Sequence, residues 1–246
     1  MPRTARKTSE SGYFHVIVRG NGQQQIFEEN DDYKYFLLLL EKYSKETGVA
    51  VCAYCLMGNH VHMLLCDKAD GLALFMKKLE VSYASFFNWK YGRTGHLFQG
   101  RYKSEPINDD SYLLQVFRYI LRNPAKAGLG LPESYPWSSY RFYEGGSFVD
   151  TMLIGEMLGS KENYEDFIHN FTESETEVRE TVKIGDAEAK RIIAEKFGVE
   201  SGSIIQSFPK SARDAAVREL LAEGLSERQI SRLTGISRFL IRQINW

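Results

Sequence analysis

The chain has 246 residues, 43% of them apolar and 13% aromatic, enough to bury the core of one large domain or of two smaller ones. No stretch reaches the roughly 18 uncharged apolar residues of a membrane span, and the basic start "MPRTARKTSESGYF" lacks the apolar middle of a signal peptide, so no membrane role and a cytoplasmic location are expected. The net charge of −1 divides into +3 over residues 1–145, −7 over 146–180 and +3 over 181–246, a pattern compatible with two nucleic-acid-facing modules around an acidic connector.

In chain order, the tail "PRTARK" reads as a flexible phosphate-binding arm or as simple disorder. "YFHVIVRG" is a strand closed by Gly20, in which His15 is a structural or substrate-facing residue. "DDYKYFLLLLEKYSKETG" is a helix with an aspartate cap and a stop at Gly48. "VAVCAYCLM" and "HVHMLLCD" are strands joined at Gly58-Asn59, a hairpin turn whose residues tolerate positive φ. "GLALFMKKLEVSYASFFNWKYG" is a long amphipathic helix, "HLFQGRYKSEPI" a strand, and "DDSYLLQVFRYILRN" a helix stopped by Pro124. This order implies an α+β fold, an antiparallel sheet with helices packed on it. Three cysteines suit a reducing compartment. Cys52 and Cys55 form a C-x-x-C inside a strand, where residues three apart point to opposite faces, so they read as packing residues.

Residues 146–180 read as short helices and a connector, with His169 on the surface. Residues 181–246 read as an all-α domain. "SERQISRL", with Ser226 and Gln229 as a capping box, then "TG" and "SRFLIRQI" capped by Ser237, have the form of a helix-turn-helix. Arg238, Arg242 and Gln243 would face duplex DNA while Leu240, Ile241 and Ile244 pack, the alternative being a helical hairpin used for packing or dimerisation.

The chemistry concentrates at "GNHVH". On a strand His60 and His62 share one face while Val61 points into the core. Two imidazoles at that spacing can chelate a divalent cation but cannot fill its shell, and by themselves they read first as the hydrogen-bonded histidines of a face covered by a helix. The helix ending at Asn123 weighs toward the metal. At about 100° per residue, Tyr112, Gln115, Tyr119, Arg122 and Asn123 gather on a polar arc opposite an apolar one of Leu113, Leu114, Phe117, Ile120 and Leu121. Tyr119 and Asn123, at i and i+4, are neighbours, and an amide oxygen suits Mg²⁺ or Mn²⁺. A cation held by His60, His62 and Asn123 would polarise a phosphodiester for attack by the Tyr119 phenol, with Tyr112 as the rival nucleophile. Arg93, His96, Gln99, Arg101 and Lys103, interleaved with Phe98 and Tyr102, suit phosphate contact and base stacking or form an ordinary solvated basic face, and Arg122 joins the candidate DNA contacts.

"GNHVH", "GRTGHLFQGRYKS" and "YILRNPAKAGL" together resemble the single-tyrosine HUH transposases, and more closely the REP-associated tyrosine transposases, over roughly residues 10–145. The resemblance implies a ferredoxin-like sheet, Tyr119 as nucleophile, Asn123 as third ligand beside His60 and His62, and a Mg²⁺ or Mn²⁺ requirement. It also implies cleavage of single-stranded DNA next to a hairpin through a 5′-phosphotyrosine, by a monomer or by a homodimer that exchanges helices. The last segment resembles the helix-turn-helix domain at the end of the bacterial replication initiator, and the combination points to a chromosomally resident protein rather than an autonomous transposon. The reading from the other class is a regulatory DNA-binding protein that recognises structured DNA without turnover.

Overall fold

The computed structural model describes residues 8–143, 147–170, 186–199, 201–223, 225 and 227–244, and the chain divides into two compact units, Met1–Val178 and Arg179–Trp246. The basic tail and the Ser226 cap lie outside the described residues. Among the described residues no helix is long and apolar enough to cross a membrane.

The first unit begins β1 (Tyr13–Arg19), α1 (Asn30–Thr47), β2 (Ala50–Met57), β3 (His60–Cys66), α2 (Leu72–Lys90), β4 (Lys103–Ile107), α3 (Asp110–Lys126). The four strands form one sheet in the order β2-β3-β1-β4, with every neighbouring pair antiparallel. This is the α+β sandwich expected from the element order, in the ferredoxin-like βαββαβ arrangement that the family resemblance implies. β1 and β2 run in the same direction with β3 between them, so α1 must cross over one face of the sheet, and α2 returns over the same face.

Strand alternation divides the core in two. Val16, Val18, Val51, Tyr54, Leu56, Val61, Met63 and Leu65 meet α1 and α2 in one buried cluster. On the other face Ala53, Cys55, Met57, Leu64 and Cys66 meet α3. Two further helices, α4 (Met152–Leu158) and α5 (Lys161–His169), join that second cluster through Ile154, Tyr164 and Ile168. The first part of the expected connector is therefore packed core, while residues 171–185 lie outside the described residues.

Several local expectations are corrected. α1 is organised by buried Asp32, at the third helical position, whose Oδ2 accepts the backbone N–H groups of Glu28 (2.9 Å) and Glu29 (3.0 Å). The same carboxylate bonds Lys90 at 2.7 Å and Tyr91 at 2.7 Å, tying the start of α1 to the end of α2. Neither Gly58 nor Asn59 has a positive φ. Their turn is held instead by the incoming loop, where Ile26 and Phe27 donate to the Gly58 carbonyl and Gly20 to that of Asn59. Gly20 is the glycine that this packing demands, since a Cβ there would lie 2.2 Å from the Gln24 carbonyl oxygen. A bulge between Val51 and Ala53 shifts the register of β2, so Cys52 and Cys55 share the α3 face after all. The expected strand over 96–107 is ordered as a strand only from Lys103.

The second unit is all-helical, with α6 (Asp186–Phe197), a 3₁₀ turn (Gly202–Ser207), α7 (Lys210–Ala222), α8 (Glu227–Thr234) and α9 (Arg238–Ile244). Ile193, Val217, Leu220, Ile230, Ile236, Ile241 and Ile244 form its core.

Candidate active site

β3 places His60, His62 and Leu64 on the face that α3 covers, and the register sets Arg19 opposite His60, Ile17 opposite His62 and His15 opposite Leu64. Directly paired residues share a face, so His15, Arg19, His60 and His62 lie on one surface. The rings meet: His60 and His62 are 4.9 Å apart between centroids at 86°, and His62 and His15 are 5.3 Å apart at 22°.

α3 supplies the tyrosine. Asp109 caps it, its side chain accepting the Tyr112 N–H at 2.8 Å, and the helix continues through Pro124 to Lys126 rather than stopping there. A proline so near the end forfeits one bond to an earlier carbonyl, and the turn closes by the Ala127 N–H donating to Asn123. The polar arc does not lie opposite the core: α3 is covered by the sheet on one side and by α5 on another, and Tyr119 and Asn123 are 4% and 6% exposed. The Tyr119 ring stands edge-on to His62 at 5.4 Å and to His15 at 6.0 Å. Asn123 sits one turn on, its Nδ2 donating to the Tyr119 carbonyl at 3.0 Å, which turns Oδ1 away from that carbonyl. Lys126, seven residues and almost two full turns beyond Tyr119, holds its ammonium 5.2 Å from the centre of that ring.

The donor set suits a hard or borderline divalent ion. His62 is fully buried, and burial followed by the positive fields of His15, His60, Arg19 and Lys126 holds its pKa well below the ordinary histidine value, so the ring is neutral at pH 7. Asn59 fixes its neighbour: Nδ2 donates to the Gln23 carbonyl at 3.3 Å, so Oδ1, 2.6 Å from His60 Nδ1, accepts the proton there and leaves the lone pair of a neutral His60 on Nε2. Two imidazoles and an amide oxygen are competent Mg²⁺ or Mn²⁺ donors that leave coordination positions for substrate oxygens. Among the described residues no three His, Cys, Asp or Glu side chains gather into a metal cluster, so a site at His60 and His62 would need the Asn123 amide as its third ligand.

The other sequence candidates are placed as follows. Tyr112 lies in the first turn of α3, and it is Tyr119 that meets the histidines. His96, Gln99, Arg101 and Lys103 are exposed, but the interleaved Phe98 and Tyr102 belong to the α1/α2 core and offer no stacking surface. Arg93 is held by the Gln24 amide oxygen and by the Phe87 ring. Arg122 donates to the Ile168 carbonyl at 2.8 Å, fastening α3 to α5. The three cysteines are buried free thiols, their pKa values raised chiefly by burial, which makes them unreactive.

On α9, Arg238, Arg242 and Gln243 are exposed while Ile241 and Ile244 pack. Leu240, expected in the packing, is exposed, and so is Phe239 at 71%. Glu227 holds Arg242 at 3.0 Å and Arg238 at 3.9 Å. Sequence reasoning missed Arg19, Asn59 and Lys126. Arg19 needed the strand register, whereas Lys126 was legible as a residue seven beyond Tyr119 had the helix been carried past Pro124.

Residues 8–123 match the family model described as "Transposase IS200 like". No curated protein matches the chain. Among solved structures, a REP-associated tyrosine transposase bound to a REP hairpin aligns with a TM-score of 0.49 and 18% identity, covering 60% of this chain and 88% of that one. A candidate transposase from Deinococcus radiodurans R1 aligns with a TM-score of 0.35 and 16% identity, over 53% of this chain and 99% of that one. The stretch that matches the IS200-like transposase model is the one that builds the sheet and carries His60, His62, Tyr119 and Asn123.

Proposed function

We propose that the first unit is a divalent-metal-dependent enzyme that nicks single-stranded DNA beside a hairpin and transfers the strand through a 5′-phosphotyrosine on Tyr119. The observation that carries this reading is the meeting of the Tyr119 ring with His62 at 5.4 Å, on the one sheet face where His60 and His62 stand side by side. His60, His62 and Asn123 would hold Mg²⁺ or Mn²⁺, which when bound supplies Lewis acidity to a phosphodiester oxygen. Tyr119 Oη attacks phosphorus as its proton passes to solvent. The bond from phosphorus to the 3′ oxygen breaks, and that oxygen takes up a proton to leave as a hydroxyl. The new ester keeps the energy of the old one, so a second 3′-hydroxyl can reverse the step and join a different strand. Arg19 and Lys126, and Lys103, which pairs with Ile17 across β1 and β4, add positive charge where a backbone phosphate would sit. The hairpin substrate follows the family resemblance of the three motifs.

The second unit is proposed to dock on duplex DNA through α9, the exposed Arg238, Arg242 and Gln243 giving phosphate and base contacts after release from Glu227. Its core residues on α8 and α9 and the turn at Gly235, with φ +78°, support a helix-turn-helix.

The test incubates the full chain with Mn²⁺ and a labelled library of single-stranded hairpins. The expected result is a covalent adduct that survives denaturation and vanishes in Tyr119→Phe. Tight binding with no adduct on any member would replace the enzyme reading with a purely binding one. Replacing Arg238 and Arg242 together by alanine is expected to weaken duplex binding and leave the adduct intact; unchanged duplex binding removes α9 as the reading helix.

A further inference from the structure

The α3 face carries a third histidine that the proposed chemistry does not use. His15, on β1, is buried, and its Nε2 lies 3.1 Å from His62 Nδ1 with the rings stacked. Between two neutral imidazole nitrogens there is room for one proton, and its position has consequences for the site. With the proton on His15 Nε2, a neutral His62 carries its own proton on Nε2, where no lone pair remains for a cation. With the proton on His62 Nδ1, the lone pair sits on His62 Nε2.

His60 already shows one solution. The amide of Asn59, oriented by the Gln23 carbonyl, accepts at His60 Nδ1 and leaves Nε2 as the ligand nitrogen. For His62 the acceptor in the same position is His15, which can accept through Nε2 when its own proton is on Nδ1. Glu105 is the direct partner of His15 across β1 and β4 and shares its face, so a carboxylate stands one cross-strand step from that ring. We propose that His15 is a positioning residue that accepts the His62 Nδ1 proton and thereby turns the His62 Nε2 lone pair toward the cation. The proposal rests on the metal reading given above. Hydrogen-bonded partners of this kind orient metal-binding histidines and raise their basicity.

Two measurements test it on the full chain without DNA. Ring ¹⁵N spectra of the metal-free protein report each histidine's tautomer, and a neutral His62 protonated on Nδ1 is expected. Protonation on Nε2 overturns the proposal whether or not a metal binds. Calorimetric titration with Mn²⁺ then compares wild type with His15→Phe, which keeps a ring but no acceptor, and His15→Gln, whose amide oxygen can accept at a similar reach. His15→Phe is expected to bind Mn²⁺ about 10- to 100-fold more weakly, and His15→Gln to recover most of that loss. Equal affinity in wild type and His15→Phe overturns the proposal. Failure of the metal reading itself looks different: wild type and His60→Ala then both show no Mn²⁺ heat, and the proposal falls with it.

Discussion

The two faces of the sheet are made from the same strands by the same alternation, yet they carry different kinds of residue. Toward α1 and α2, β3 presents Val61, Met63 and Leu65, and nothing ionisable from that strand enters the cluster. Toward α3 it presents His60, His62 and Leu64, and the helix that covers them brings a tyrosine and an amide. The pleat separates the two sets by one residue, so a chain of this design can alter its chemistry without touching its main core. It also makes the register unforgiving, since a one-residue slip would bury Val61 against Tyr119 and turn both histidines into the apolar cluster.

The strongest way to break the comparison is on the α3 face. His60 is half-buried at the mouth of the strand, so His60→Ala removes a proposed ligand and little packing. Adduct formation is expected to fall by about 10²-fold or more, the rate equivalent of several kcal/mol of Lewis-acid stabilisation, while the urea midpoint moves little. A variant with the His60→Ala change that forms adduct at the wild-type rate would show that the face is structural despite its histidines.

The opposite face is expected to respond in the opposite way. Phe75 on α2 is fully buried among Val61, Met63 and Leu65. Phe75→Ala should cost about 3–5 kcal/mol of stability, read from urea unfolding. At a temperature where the variant is still folded, its Mn²⁺ affinity should match wild type. Lost affinity in a folded Phe75→Ala protein would mean that the faces are mechanically coupled and that the comparison is too simple.

Much of this division was legible in the sequence because it depends on short-range periodicity. The alternation of His60, Val61 and His62 needs only the period of a strand, and the spacing of Tyr119 and Asn123 only that of a helix. Gly48 ending α1 in a left-handed conformation, with φ +72°, is likewise a local rule. Three of the failures involve a partner that local rules do not contain. The bulge at Val51 and Ala53, which brings Cys55 and Cys52 to one face, exists only in the pairing of β2 with β3. The burial of Tyr119 and Asn123 depends on what covers α3, and α5 came from a segment read as a connector because its composition is acidic. Phe98 and Tyr102 looked like stacking residues until the loop between α2 and β4 folded them into the core.

The smallest expected effect is a pH dependence of stability confined to the α3 face. His62 is the clearest contributor, because burial first, and then His15 and Arg19 from β1, His60 from β3 and Lys126 from α3, all disfavour its charged form. Unfolding releases the ring to its ordinary value near 6.5. Above that value both states hold it neutral, and it contributes nothing that varies with pH. As the pH falls below about 6.5 the unfolded chain binds a proton that the folded chain refuses, so stability declines until the pH reaches the lower folded value. One such group limits the slope to about 1.4 kcal/mol per pH unit. Urea unfolding of the metal-free chain at pH 7.5, 6.5 and 5.5 should therefore show a decline that His62→Gln reduces, whereas Phe75→Ala should lower all three values and keep the slope. If His62→Gln leaves the slope untouched, the ring is not held neutral by its surroundings, and the contrast between a titrating face and an inert one loses its electrostatic basis.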